Sequence, residues 1–371
     1  VNSDASITGS PTTTVAPRVT VLMSVYNGAR FLRLALESIL AQTFRDFEFV
    51  IVDDGSTDGS LDILNSYGDV RLRIVSNDHN LGLTASLNKG LGCARGEFVA
   101  RQDADDVSHP CRLAKQVLFL DQHPAYALVG TQARYIDAWG RPSVSPLWQK
   151  ATTPEAIRLQ SLFDNPFFHT SVLFRRAIVW ENLRGYDPGF RTSQDFELWS
   201  RLLKQFDGAN LSDVLVDQRY HVQSVSASYL PANAHQVETV FSSNMEAFLG
   251  HAPQYARWPA LWSAMMNPKM SPDYSFGAVL RTIRAICATY LKRGLSPQAV
   301  AEVHAQRAIT SFRAARFFAR VSWYAASCAV VRIFFMSPRL VAIELQRMAR
   351  RVAFGGRLRD GSQCHSQKPL T

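Results

Sequence analysis

The chain has 371 residues, of which 47% are hydrophobic and 19% charged, the composition of an ordinary globular protein with room for one large or two moderate domains. Its net charge of +9 is unevenly placed: residues 276–371 hold 16 Lys and Arg against 3 Asp and Glu, while the preceding 275 residues are slightly acidic. A nucleic-acid-binding core is therefore not indicated, and the basic character belongs to the tail. The five cysteines, Cys93, Cys111, Cys287, Cys328 and Cys364, show neither C-x-x-C spacing nor a pairing pattern. They suggest no disulfide framework or zinc site, and a reducing cytoplasm fits them best.

Residues 1–17 are rich in Ser, Thr, Pro and Ala, lack a basic region followed by an apolar core, and read as a disordered leader. Arg18 to Val25 is a β-rich apolar run, closed by the turn Tyr26-Asn27-Gly28 and followed by a helical pattern with Leu32, Leu36, Ile39 and Leu40 on one face. Phe47 to Val52 is a second strand ending in Asp53-Asp54-Gly55-Ser56-Thr57-Asp58, with a short helix from Ser60 to Tyr67. Strand 70–75, turn 80–83 and helix 84–94 repeat the unit and lead into a strand from Gly96 to Ala100. Further on, a helix is expected over 110–122, strands over 127–134, 170–174 and 210–216, and helices over 154–163 and after Asp195. Such alternation predicts an α/β fold with a mostly parallel sheet flanked by helices, and ligands bind at the carboxyl ends of such strands.

Arg101-Gln102-Asp103-Ala104-Asp105-Asp106 places three carboxylates within four positions at the end of a predicted strand. Such a cluster suits a hard divalent cation that leaves its other positions to water and substrate phosphates. A solvated acidic turn is the alternative reading of these six residues taken alone.

The ordered motifs VTVLMSVYNG (Val19 to Gly28), DDGSTD (Asp53 to Asp58), NLGL (Asn80 to Leu83), RQDADD (Arg101 to Asp106) and QDFELW (Gln194 to Trp199) resemble the family 2 glycosyltransferases. That resemblance implies a GT-A, Rossmann-like fold over 18–230 and an inverting hexosyl-type transfer from a nucleotide-sugar donor to a saccharide or lipid-linked acceptor. It also implies a Mg²⁺ or Mn²⁺ cofactor and a place in cell-surface polysaccharide biosynthesis. On the matching positions, Tyr26, Asp53 and Asp54 fall where the family contacts the donor nucleotide, and a carboxylate can accept a base N–H. Asp58 reads as turn chemistry.

The resemblance makes Asp103 and Asp105 the pair that binds ribose and the metal-diphosphate, with Asp105 as direct metal ligand. Asp106 reads as a supporting residue or as a cap for the helix at Pro110, and Arg101 as electrostatic support or a structural partner. Asp195 falls at the catalytic base; an N-cap for its helix is compatible with that role. Gln194 stands where relatives often have Glu. His221 is the late histidine expected on the metal or phosphate, Arg219 a partner for the diphosphate, and His169 a structural histidine.

Residues 231–371 read as a helical, basic region outside the resemblance. Arg313, Arg316 and Arg320 share one helical face, as do Arg347, Arg350 and Arg351, among Phe317, Phe318, Trp323, Tyr324, Phe334 and Phe335. This suits peripheral association with an anionic membrane surface at the inner face of the plasma membrane; packing on the catalytic body or an oligomer contact is the alternative. Val321 to Val331 is apolar but too short to span a bilayer, which needs about 20 residues. Competing functions are a non-catalytic nucleotide-sugar-binding scaffold and a dinucleotide-dependent oxidoreductase, the latter lacking G-x-G-x-x-G after the first strand.

Overall fold

The computed structural model describes residues 16–142, 149–221, 234–250, 258 and 276–321. Most of the leader, the 259–274 connector and the basic and aromatic residues beyond 321 lie outside the described residues, as do the side chains of Arg316, Phe317, Phe318 and Arg320. The first apolar run forms β1 (Val19–Val25) and the second β2 (Phe47–Asp53), in which every residue is buried. Continuous burial is what a strand covered on both faces requires. Between them α1 (Ala29–Leu40) turns Phe31, Leu32, Ala35, Leu36 and Ile39 inward, the apolar stripe of a helix lying on a sheet. There follow α2 (Ser60–Asn65), β3 (Leu72–Ser76), α3 (Leu83–Cys93), β4 (Phe98–Arg101), the two-residue β5 (Val107–Ser108), α4 (Arg112–Gln122) and β6 (Tyr126–Ile136). The chain continues through α5 (Pro154–Gln160), β7 (Leu173–Arg175), α6 (Gln194–Leu203) and β8 (Asp207–Arg219).

Eight strands form one sheet in the order β3-β2-β1-β4-β7-β6-β8-β5. Neighbours β1–β2, β1–β4, β2–β3 and β6–β8 are parallel, whereas β7 is antiparallel to both β4 and β6. One reversed strand between β4 and β6 restores the common direction. The carboxyl ends of β1, β2, β4, β6 and β8 therefore meet on one rim, where α/β sheets bind ligands.

The strand expected over 170–174 is shorter and later. His169–Ser171 is a 3₁₀ turn, closed by the Ser171 hydroxyl donating to the Phe168 carbonyl at 2.9 Å, and the strand begins at Leu173. A six-residue π-helix, Ala177–Asn182, precedes the loop to α6. The helix expected from Pro110 starts at Arg112, and the Pro110 carbonyl accepts the Thr43 amide from the α1–β2 loop.

Beyond β8, α7 (Ala234–Leu249), α8 (Phe276–Leu291) and α9 (Pro297–Val321) pack on the α/β body. Val279, Ile283, Ile286, Tyr290 and Val303 share one buried cluster with Leu22, Val50 and Trp199. Asn244 on α7 accepts the Ser200 hydroxyl and donates to the Ser161 carbonyl, tying α7 to α6 and to the end of α5. The described part of the helical region is thus built on the catalytic body. Arg313, expected on an outward basic face, points inward and pairs with Asp164 at 2.9 Å. Among the described residues no helix is long and apolar enough to cross a membrane.

Candidate active site

The β1 and β2 carboxyl ends are latched together by their own turn residues. Asn27, with φ of 51°, accepts the Thr57 amide on its side-chain oxygen at 2.8 Å, and its own amide donates to Ser56. Asn tolerates this left-handed conformation better than other non-glycine residues. Asp58 accepts the amides of Ala29 and Ser60, so it is turn chemistry that also secures the first turn of α1. Glycine is required at position 28, where a Cβ would stand 2.7 Å from a Val25 methyl. Tyr26, half exposed, lies between the end of β1 and Asn27.

Asp53 and Asp54, adjacent and equally buried, differ in what they hold. Asp54 accepts Asn77 Nδ2 at 2.8 Å and the amides of Leu81 and Gly82 at 2.9 Å, which shapes the 77–83 turn. Asp53 receives only a long 3.4 Å contact from the Ser56 amide on Oδ2, while its buried Oδ1 has no partner. A buried carboxylate oxygen without a donor is costly unless a ligand supplies one. Of the two, Asp53 keeps a carboxylate oxygen without a donor from the protein, and Asp54 is already committed to the fold.

The Arg101–Asp106 cluster divides in the same way. Arg101 is 1% exposed and pairs with Asp103 Oδ1 at 2.5 Å, so its role is structural pairing. Burial raises the Asp103 carboxyl pKa; the Arg101 charge opposes this and Asp105 adds to it. Asp106 is no helix cap. Its Oδ1 accepts the Arg219 amide at 2.7 Å, and burial, with Asp105 and Asp103 nearby, pushes its pKa well up.

Arg219 departs from the expected phosphate partner. Nε donates to the Asp105 carbonyl and Nη1 to the Asp137 carbonyl, and the guanidinium lies 4.6 Å over the Phe31 ring. It braces the acidic loop from behind. The Phe31 ring also packs 5.0 Å from His221, and His221 Nε2 lies 2.9 Å from Asp105 Oδ2.

Those two donor atoms suit a divalent cation. Octahedral Mg²⁺ or Mn²⁺ with ligand distances of about 2.1 Å places adjacent ligands about 3 Å apart, close to the separation of Asp105 Oδ2 and His221 Nε2. Among the described residues no three His, Cys, Asp or Glu side chains converge. A two-donor protein set agrees with a cation that takes its remaining ligands from phosphate and water.

Asp195 is the second residue of α6; Ser193, at the N-cap position in a left-handed conformation (φ 59°), makes no side-chain cap bond, and the Asp195 carboxylate accepts the Phe196 amide in the first turn. Asn165 Nδ2 donates to Asp195 Oδ2 at 2.7 Å. Burial raises the Asp195 pKa, with Asp103 adding to the rise, while the Phe196 amide and Asn165 oppose it. A carboxylate with a raised pKa is a better proton acceptor at neutral pH. Below it, His169 Nε2 meets the Tyr186 hydroxyl at 2.9 Å, and both rings pack on Trp199; burial holds the imidazole neutral. His169 is therefore a structural residue. Gln194 is buried and brings no second charge.

Motifs do not mark Asn165, Lys150 or Arg313. Lys150 is 8% exposed and donates to Asp164 and to the Asn165 carbonyl, and the field of Asp195 reaches it. Only a buried lysine in an otherwise irregular stretch could have hinted at it.

A reversed strand within a sheet whose shared rim gathers acidic loops is the architecture of GT-A sugar-nucleotide transferases. Residues 1–349 of TarS from S. aureus, crystallised with UDP-GlcNAc, share this fold with a TM-score of 0.54 at 18% identity, over 90% of this chain and 92% of that one. Residues 20–183 match the family model "Glycosyl transferase family 2". The putative glycosyltransferase EpsE of Bacillus subtilis (strain 168) is 38% identical over 209 residues, 55% of this chain and 73% of EpsE. The O-antigen biosynthesis glycosyltransferase WbnJ of Escherichia coli is 30% identical over 219 residues, 57% of this chain and 83% of WbnJ. The chain belongs to glycosyl transferase family 2 and is a glycosyltransferase.

Proposed function

We propose that the protein transfers a sugar, with inversion, from a nucleoside-diphosphate donor to a hydroxyl of a saccharide or lipid-linked acceptor in cell-surface polysaccharide synthesis. The observation that carries this reading is an unsatisfied buried carboxylate (Asp53) and a facing Asp105–His221 pair after the carboxyl ends of parallel strands, with a raised-pKa carboxylate (Asp195) that feels the charge of Asp103. The relatives' names, for O-antigen synthesis in WbnJ, support the acceptor class.

In this reading Asp53 accepts a nucleobase N–H and Tyr26 lines the nucleotide cleft. Asp103, held by Arg101, takes a ribose hydroxyl, while Asp54 and Arg219 shape the loops that carry these groups. Asp105 and His221 would hold Mg²⁺ or Mn²⁺. When bound, that ion neutralises charge developing on the departing diphosphate. Asp195 takes the proton of the acceptor hydroxyl as the oxygen attacks the anomeric carbon in line, which requires the carboxylate within hydrogen-bond reach.

Turnover with a panel of nucleotide sugars, with and without Mg²⁺ or Mn²⁺, tests the reading. Sugar transfer from one donor, lost on chelation, is expected; donor binding without turnover in any acceptor mixture would favour a scaffold. Residues 322–371 carry eight Lys and Arg against two Asp and Glu, which favours peripheral attachment to an anionic bilayer through that segment. Equal sedimentation with neutral and anionic vesicles would remove that part of the proposal.

A further inference from the structure

Resting on the reading of Asp195 as base, we propose that α9 of the helical extension is the element that positions it. Glu302 and Arg313 clamp the two ends of the 150–165 segment and so fix Asn165 against the Asp195 carboxylate.

Each contact in that chain is direct. At the first end, Glu302 accepts the amides of Thr152 and Thr153 at 3.0 and 3.1 Å and also bonds both hydroxyls. Thr153 is the residue that precedes the first turn of α5 and makes no side-chain cap of its own. The backbone that leads into α5 is therefore held from α9, roughly 150 residues away in sequence. At the other end, Arg313 Nη2 donates to Asp164 Oδ2 at 2.9 Å, and Lys150 Nζ meets the same oxygen at 3.2 Å. Lys150 also donates to the Asn165 carbonyl at 2.6 Å. The Asn165 backbone is thus held by one cation and its neighbour Asp164 by two, and its side chain reaches Asp195 at 2.7 Å.

Along α9, Gln306 and Thr310 are buried between Glu302 and Arg313. Spacings of four, four and three residues put all four on one face, a polar stripe turned toward the catalytic body. Such a stripe is not what an outward-facing or membrane-bound helix would bury. Its natural consequence is precision at Asn165, because an error of about 1 Å at a reacting group can cost about a hundredfold in rate.

The test uses the full chain and measures kcat, donor affinity by calorimetry and thermal unfolding for Arg313→Gln, Arg313→Lys, Glu302→Gln, Asn165→Ala and the Arg313→Gln/Asn165→Ala pair. Arg313→Gln is expected to lower kcat about tenfold with donor affinity unchanged, and Arg313→Lys to recover most of the loss. The double variant is expected to be no slower than Asn165→Ala alone, since both act on the same bond. If Arg313→Gln does not fold, the same kcat-specific loss is expected in Glu302→Gln. Wild-type kcat in these variants, equal loss of donor affinity, or losses that multiply in the double variant would overturn the proposal. An Asp195→Asn control separates the two levels: if it still turns over, the base reading fails; if it is inactive while Arg313→Gln is fully active, only the role of α9 fails.

Discussion

Asp105 and His221, 116 residues apart in sequence, present Oδ2 and Nε2 to each other at 2.9 Å. The fold makes this meeting by running β4 and β8 in the same direction, so that both strands deliver their carboxyl ends to one rim. Arg219 reinforces it by donating from β8 to the Asp105 carbonyl. Losing either side chain should weaken donor binding only when a divalent cation is present. His221→Ala and Asp105→Asn are each expected to lower donor affinity by about tenfold or more in Mn²⁺ or Mg²⁺ and to change it little in chelator. Calorimetry in both conditions checks this, and equal weakening in chelator would show that the pair acts without a metal.

Asp53 and Asp54 should separate cleanly into binding and folding. Asp54→Ala strips partners from Asn77, Leu81 and Gly82 and is expected to cost about 3 kcal/mol or more in denaturant unfolding. Asp53→Ala removes a buried oxygen that has no donor, so stability should hold or rise while donor affinity falls about tenfold. The opposite pattern would exchange their roles.

Acid should loosen the clamp around Asp164. Burial raises that carboxyl pKa, but the Arg313 and Lys150 charges and their hydrogen bonds outweigh it and hold it at about 2. An unfolded Asp titrates near about 3.9. Because the folded value is depressed, the stabilisation is fully present above the unfolded pKa and is lost as pH falls from about 4 through about 2. Amide exchange in α9 should therefore rise across this window, and Asp164→Asn should abolish the pH dependence there. Unchanged pH dependence in Asp164→Asn would place the acid sensitivity elsewhere.

Strand runs such as Val19–Val25 and Phe47–Asp53 were legible because burial on both faces writes itself as a predominantly apolar, β-rich sequence. The turns at Asn27 and Gly28 were legible because few residues tolerate their conformation or their space. The two-residue β5 and the reversed β7 were not, since pairing direction is set by neighbours distant in sequence. The same limit applies within the site. Asp53 and Asp54 look alike in a motif, and only their partners distinguish a vacant oxygen from an occupied one. Arg219 reads as a phosphate ligand until its guanidinium is seen on two carbonyls. Arg313 read as an outward charge because helical periodicity reports a face, not what the face meets.

The reading of Asp195 as the general base is tested most directly by Asp195→Asn in the full chain, with nucleotide-sugar binding measured by calorimetry and transfer measured with saturating acceptor. Retained donor affinity, an unchanged unfolding temperature and a fall in kcat of at least about a hundredfold are expected. Transfer at the wild-type rate would contradict the assignment, as would loss of donor binding in a folded variant.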